Sequence, residues 1–195
     1  MKKQILFLLM LLPSVVVAQW LPFGPWSVCA TNTATMLPPA SITAVLFQPV
    51  HPGLSVSYEF GWRDKEFSKW FQDAGIGYTY HRFAYQSVVI NTKAGYRRYL
   101  GNLSLEAALQ AGYMHMFLLT DRAVWDDDHW TSKAGFGKPQ FITGAGVGIG
   151  YDIGTEDAMR RIILNYDFRL QMPFVKNYTP LLPSGLLSLG LQFTL

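Results

Sequence analysis

The feature that most constrains this chain is a period of two. In residues 183–195, Leu187, Leu189, Leu191, Phe193 and Leu195 alternate with Leu186, Ser188, Gly190, Gln192 and Thr194. Successive strand side chains point to opposite faces, so this stretch has one unbroken apolar face and one that is mostly small or polar. It runs to the last residue. A strand left at a sheet edge exposes a row of unpaired backbone groups, and pairing it with the first strand would close a barrel.

The same alternation recurs upstream. Residues 53–63 set Leu54, Val56, Tyr58, Phe60 and Trp62 against Ser55, Ser57, Glu59 and Gly61. Residues 73–81 set Ala74, Ile76, Tyr78 and Tyr80 against Gly75, Gly77, Thr79 and His81. Residues 87–99, 140–153 and 161–174 continue the pattern, and a Leu100-Gly101-Asn102 turn follows the first of these. Residues 104–116 are Ala-rich, and Leu105, Leu109 and Tyr113 satisfy helical spacing as well. Their place between two strands favours a strand, since tertiary context overrides weak propensity.

The least distinct strand is 41–48, where both faces are apolar, and Pro49 to Gly53 then supplies a turn. Residues 19–40 hold Pro22, Pro25, Pro38 and Pro39 and read as an irregular N-terminal arm, with 63–70 as a charged connection and 118–139 as the longest loop. The expectation is an all-β, antiparallel barrel of eight strands over residues 41–195. An even count with short turns at one end and longer loops at the other is the rule for single-chain bacterial membrane barrels. Keeping 41–48 as the first strand puts the long loop at the end opposite both termini.

The beginning of the chain is a leader pattern. Lys2 and Lys3 precede an apolar run over residues 5–12, then Pro13, then Val16 and Ala18 at the small-residue positions, which predicts a signal peptide of residues 1–18. The run is interrupted by Pro13 and falls short of the roughly 20 apolar residues that a spanning helix needs. Cys29 is the single cysteine, so no disulfide can form within the chain, and the Trp26-Ser27-Val28 before it does not suit lipidation. The formal charge of +3 rests on 16 basic and 13 acidic residues; without Lys2 and Lys3, 14 against 13 leaves +1, which implies no nucleic-acid partner.

The two faces decide between water and lipid. A soluble barrel buries its apolar side and shows water its polar one. Here one face of most strands carries almost no charge, while Glu59, Asp73, Lys93, Arg97, Glu106, Asp152, Asp167 and Arg169 share the other with His81. An Arg or Lys facing lipid at mid-bilayer costs roughly 2–4 kcal/mol, whereas both signs in a narrow lumen can pair. These residues are therefore a candidate lumen network in a transmembrane barrel. Tyr58, Trp62, Tyr80, Tyr96, Tyr113 and Tyr151 near strand ends suit interfacial girdles.

With its leader, its alternating strands and an amphipathic last strand bearing Phe193, the chain resembles the small eight-stranded outer-membrane barrels of Gram-negative bacteria. The resemblance implies export to the outer membrane, contact with its lipid, and recognition of the last strand by the barrel-assembly machinery. In that family the final residue is usually aromatic. Here it is Leu195, with Phe193 two positions earlier on the same face. His51-Pro52-Gly53 and residues 180–183 are similar to uncharacterised outer-membrane proteins, which supplies no activity.

Three chemistries compete for the inner face. Gly144, Gly146, Gly148 and Gly150 are spaced strictly by two, unlike a nucleotide loop; on a strand they form a glycine wall that either lets opposite side chains fill the lumen or lines a passage for a small or amphipathic solute. His81 with Glu59 and Ser55 or Ser57 could form a hydrolytic set like that of lipid A deacylases, but the His-x-Ser motif of those enzymes is absent, Ser87 being the next serine after His81. The Asp126-Asp127-Asp128-His129 run lacks the spacing and glycine of a calcium loop and reads as a solvated charge run beside Trp125 and Trp130. The expectation is a barrel with no enzymatic activity, no cofactor and no metal, its polar lumen mostly filled, and its role structural or at the surface. A narrow channel is the first alternative and a lipid-modifying enzyme the second. No particular ligand is indicated.

Overall fold

The computed structural model describes residues 24–36, 45, 49–81, 85–118, 136–154, 160–173 and 180–194, together with the backbone of 122–126 and 129–133. The strands are β1 (Trp26–Thr35), β2 (Pro52–Lys65), β3 (Ser68–His81), β4 (Tyr85–Leu100), β5 (Leu103–Leu118), β6 (Arg122–Asp126), β7 (His129–Lys133), β8 (Lys138–Asp152), β9 (Arg160–Met172) and β10 (Leu182–Phe193). Eight of them close an antiparallel barrel in the order β1-β10-β9-β8-β5-β4-β3-β2, and β6 pairs with β7 as a separate hairpin within the β5–β8 connection. The terminal strand has its partner: β10 joins β1 from Trp26↔Phe193 to Thr35↔Ser184.

The strand count matches the expectation, but the first strand is a different one. Residues 26–35, read as part of an irregular arm, form β1 and pair on both sides, with β10 and β2. The prolines on either side frame this strand rather than break it. Its alternation is hard to see because Ser27, Cys29, Thr31 and Thr33 face inward while Ala30, Asn32 and Ala34 share the outer face, so neither face is distinctly apolar. The ring closes without 41–48, of which only Val45 falls among the described residues. Val45 is buried against Ala34, Tyr166 and Leu187 on the outer side of the β1–β10–β9 wall, and its carbonyl accepts a hydrogen bond from Asn32 Nδ2 at 2.8 Å. The outward Asn32 is further satisfied by the backbone N–H of His51, which donates to its Oδ1 at 2.8 Å.

The charged connection at 63–70 is also strand. β2 continues through Lys65 and β3 begins at Ser68, leaving a turn of Glu66 and Phe67. Of the charges at these positions, Lys69 reaches Glu59 in the lumen, while Arg63 and Lys65 are exposed near the strand end. The segment 104–116 is strand, within β5. Gly101 takes a left-handed φ of 64° in the β4–β5 turn, a conformation glycine adopts without steric cost. Residues 1–23, which hold the expected leader, and residues 127–128 of the acidic run lie outside the described residues.

Both described ends of the chain lie at the end of the barrel that carries the short turns, 66–67 and 101–102, together with the connection 153–159. The opposite end carries the connections 36–51, 82–84, 119–137 and 173–181. This asymmetry is that of membrane barrels. Around the outside run exposed apolar side chains, among them Leu54, Ile76, Ile90 (58 %), Leu109 (69 %), Val147, Ile149, Leu189 and Leu191. The inside holds buried Glu59, Arg97, Gln110, Arg161, Asp167 and Gln192. Polarity is thus inverted relative to a water-soluble barrel, as lipid on the outside requires.

The lumen as candidate functional site

The lumen is built in layers that follow from the register. Nearest the short turns, Glu59 (1 % exposed) receives Arg97 (1 % exposed) in a two-pronged ion pair, Nη1–Oε1 at 3.1 Å and Nη2–Oε2 at 2.6 Å. The same carboxylate takes Lys69 Nζ at 2.9 Å and a hydrogen bond from Gln192 Nε2 at 2.8 Å. Arg97 Nε donates to Glu106 at 2.5 Å, Arg161 Nη1 lies 3.8 Å from Glu106, and Arg161 Nε donates to Asp152 at 2.5 Å. Arg97 lies over the Phe71 ring at 4.6 Å and Arg161 over Tyr99 at 5.2 Å. Every barrel strand but β1 contributes a side chain, so the cluster crosses the lumen from wall to wall. Buried charge is tolerated only when paired and hydrogen-bonded, and here both signs are.

Above this layer, Lys93 Nζ donates to Asp167 Oδ2 at 2.6 Å, with Arg169 Nη2 3.8 Å from the same oxygen. Asp73 stands in register between Glu59 on β2 and Lys93 on β4, and its Oδ1 has no hydrogen-bond partner. It lines a cavity of about 60 Å³ together with Ser27, Cys29, Ser57, Asn91 and Lys93, and a second of about 20 Å³ beside Asp167. A water needs roughly 10–15 Å³, so the space suits a few waters.

The glycine wall is covered. Asp167 lies across Gly146, Asn165 across Gly148, and Arg161 with Ser104 against Gly150, while the Phe168 backbone crowds Gly144; a methyl group at any of these glycines would collide. Polar side chains from β9 fold over β8, and only glycine leaves room for them.

Toward the long connections the lumen changes character. Val89, Met114 and Ile142 form an inward apolar cluster. Gln110 and Gln140 are buried with no partner on either amide atom, while Gln171 Nε2 donates to Ser184 at 3.1 Å. At the mouth His81 stacks on His51, ring centroids 3.6 Å apart, and on Tyr85 at 5.0 Å.

The structure therefore assembles most of the predicted network. Glu59, Lys93, Arg97, Glu106, Asp152 and Asp167 interact across strands, Arg169 approaches only Asp167 on its own strand, and Asp73 sits among them. His81 does not join them: it lies eight residues along β3 from Asp73, the register partner of Glu59, or ~26 Å at strand rise. The hydrolytic set of His81, Glu59 and Ser55 or Ser57 is consequently not assembled. Among the described residues, no group of three His, Cys, Asp or Glu is placed to hold a metal ion.

No family model matches the chain, and no curated protein sequence matches it. Its fold does match solved structures. Neisserial surface protein A superposes with a TM-score of 0.50 at 14 % identity, covering 88 % of this chain and 96 % of that one. The fold is that of the small bacterial outer-membrane barrels. The outer membrane enzyme PagL (TM-score 0.41, 12 % identity, covering 86 % and 97 %) and the Yersinia pestis outer membrane protein Ail (0.40, 14 %, 87 % and 99 %) are further matches.

Sequence reasoning about this outer-membrane-type barrel missed three lumen residues. Lys69 was hidden by reading 63–70 as a connection. Arg161 sits one alternation step before Ile163, Asn165 and Asp167, so extending β9 by that step finds it. Gln192 stood on the polar face of the last strand, and its capping of Glu59 needed the register across β1 to be known.

Proposed function

We propose that this chain is a bacterial outer-membrane protein whose barrel is closed to solutes and catalyses no reaction, with a structural or surface-interaction role carried at the end of the long connections. The observation that carries this reading is the wall-to-wall cluster around Glu59 and Arg97. A channel would need a continuous polar path, whereas here paired charges fill one level, side chains cover the glycines at the next, and Val89, Met114 and Ile142 fill a third. The separation of His81 from Glu59 weighs against a Ser-His-acid hydrolase.

Planar-bilayer recording tests the reading. The purified protein, folded by the criterion of heat-modifiable gel migration, is expected to give no unitary current. A stable single-channel conductance from the unaltered protein would overturn it. Recognition of β10 by the assembly machinery belongs to the same proposal: Phe193→Ala is expected to slow assembly into the outer membrane, and unchanged assembly kinetics would remove that element.

A further inference from the structure

The outer wall at the short-turn end is not uniform. A register irregularity between Gly61 and Arg63 lets both Trp62 (61 % exposed) and Arg63 stand outside β2. Such bulges re-aim side chains. Beyond it, two rows of register cross β2, β3 and β4: Lys65, Ser68 and Arg98 in the row nearer the turn, and Arg63, Trp70 and Tyr96 in the next. Toward mid-barrel the following rows hold Phe60, Gln72 and Ala94, then Tyr58, Ala74 and Thr92. From the turn inward the order is cation, then aromatic, with Ala94, Ala74 and Thr92 following on β3 and β4 beside an aromatic β2.

Arg63, Lys65 and Arg98 are exposed, and no carboxylate among the described residues pairs with them. Of the acidic neighbours, Asp64 approaches Lys69 at 3.8 Å and Glu66 occupies the turn. Lys65 and Arg98 flank Ser68 from two adjacent strands, about 10 Å apart by strand spacing. Two cations at that spacing leave room for one anion between them over β3. At the same end of the β8–β9 wall, the exposed residues Tyr151, Ile153 and Ile162 are accompanied by Arg160 alone as a cation. Among the described residues, the exposed positive charge at this end is thus concentrated on β2–β4.

We infer that this patch is a binding site for an anionic glycerophospholipid of the leaflet at the short-turn end. The phosphate sits between Lys65 and Arg98 over β3, with Arg63 as the third cation; the buried Ser68 hydroxyl beneath is bonded to Tyr96, which also holds Arg98 in place. Trp62, Trp70 and Tyr96 flank the glycerol region at the depth where aromatic residues favour the interface. The acyl chains run over the small side chains Ala74 and Ala94. Trp70 and Tyr96 are already in contact, ring centroids 5.2 Å apart, which holds this platform in place before lipid arrives. The site rests on the proposed membrane location, and charge complementarity selects its occupant.

The test is lipid retention. The protein is reconstituted in nanodiscs of equal parts phosphatidylcholine and phosphatidylglycerol, released, and the retained lipid is counted by native mass spectrometry. The unaltered protein is expected to keep phosphatidylglycerol in about threefold or greater excess, a preference that 0.5 M salt abolishes because exposed charges are screened. Arg63→Gln/Lys65→Gln/Arg98→Gln is expected to retain the two lipids equally, Arg98→Gln alone to lose part of the preference, and Arg160→Gln to keep it. Heat-modifiable migration checks folding, and the salt series on unaltered protein decides the matter if the triple variant does not fold. Equal retention by the unaltered protein, a preference that survives in Arg98→Gln and the triple variant, or displacement of phosphatidylglycerol by millimolar inorganic phosphate at constant ionic strength would overturn the site. A chain that inserts in neither lipid removes the membrane reading and this site with it.

Discussion

The two halves of the lumen solve the same problem differently. Near the short turns the interior is ionic and satisfied around Glu59, which alone has Arg97, Lys69 and Gln192 within hydrogen-bond distance, while Asp73 beside it keeps one oxygen unpartnered. Toward the long connections it is filled by Val89, Met114 and Ile142, by glutamines with unpartnered amides, and by stacked histidines. A buried charge network is costly to break because removing one member strands the others. A buried amide without a protein partner has little to lose when it is removed. The halves should therefore respond in opposite ways to equally small substitutions.

The largest contrast is at Glu59. Glu59→Ala leaves Arg97 and Lys69 without their shared anion and should cost about 3–5 kcal/mol in urea unfolding from lipid vesicles. Glu59→Leu combined with Arg97→Met should recover part of that loss, and a double variant no more stable than Glu59→Ala would break the pairwise account. Next is Gly146→Val, which drives Asp167 off the β8 wall and away from Lys93, at about 3 kcal/mol. Gly77 is its control, since a methyl there meets only Ser55 Cβ and the Leu54 carbonyl at ordinary contact distance, and Gly77→Ala should be neutral or mildly stabilising. Third, Gln192→Met removes a donor to a buried carboxylate and should cost about 2 kcal/mol, whereas Gln140→Met in the other half should change the midpoint little. Equal losses at both glutamines would erase the proposed difference between the halves.

Much of this was legible from alternation. Charges too costly for lipid had to face inward, so the network around Glu59, Arg97 and Glu106 was readable before any register was known. The filled character of the glycine wall was readable only as one of two options, because spacing shows that Gly146 lacks a side chain but not that Asp167 lies across it. β1 escaped because strand recognition relied on contrast between faces. A strand whose inner face is Ser, Cys and Thr and whose outer face includes Ala30, Asn32 and Ala34 offers little contrast; its outer Asn32 is satisfied by Val45 and His51, a contact made by a distant segment. His81 was assigned to the right face and the wrong level, since alternation fixes direction but height depends on where the strand begins and ends.

The smallest expected effect lies at the long-connection mouth and separates the halves by pH. His51 precedes β2 and is buried beside His81, Tyr85 and the Asn32 amide. Burial first, and the neighbouring His81 second, hold its imidazole below the usual histidine value. The unfolded chain then takes up a proton near pH 6.5 that the folded chain resists. The contribution of neutral His51 is fully present above that value and declines as pH falls through it toward the lower folded value. The unfolding midpoint of the unaltered protein should therefore drop more between pH 7.5 and 5.5 than that of His51→Gln. Lumen carboxylates common to both proteins cancel in the comparison. Parallel pH profiles for the two would mean that the stacked pair is not the weak point of this half, and would shift attention to the unpartnered amides of Gln110 and Gln140.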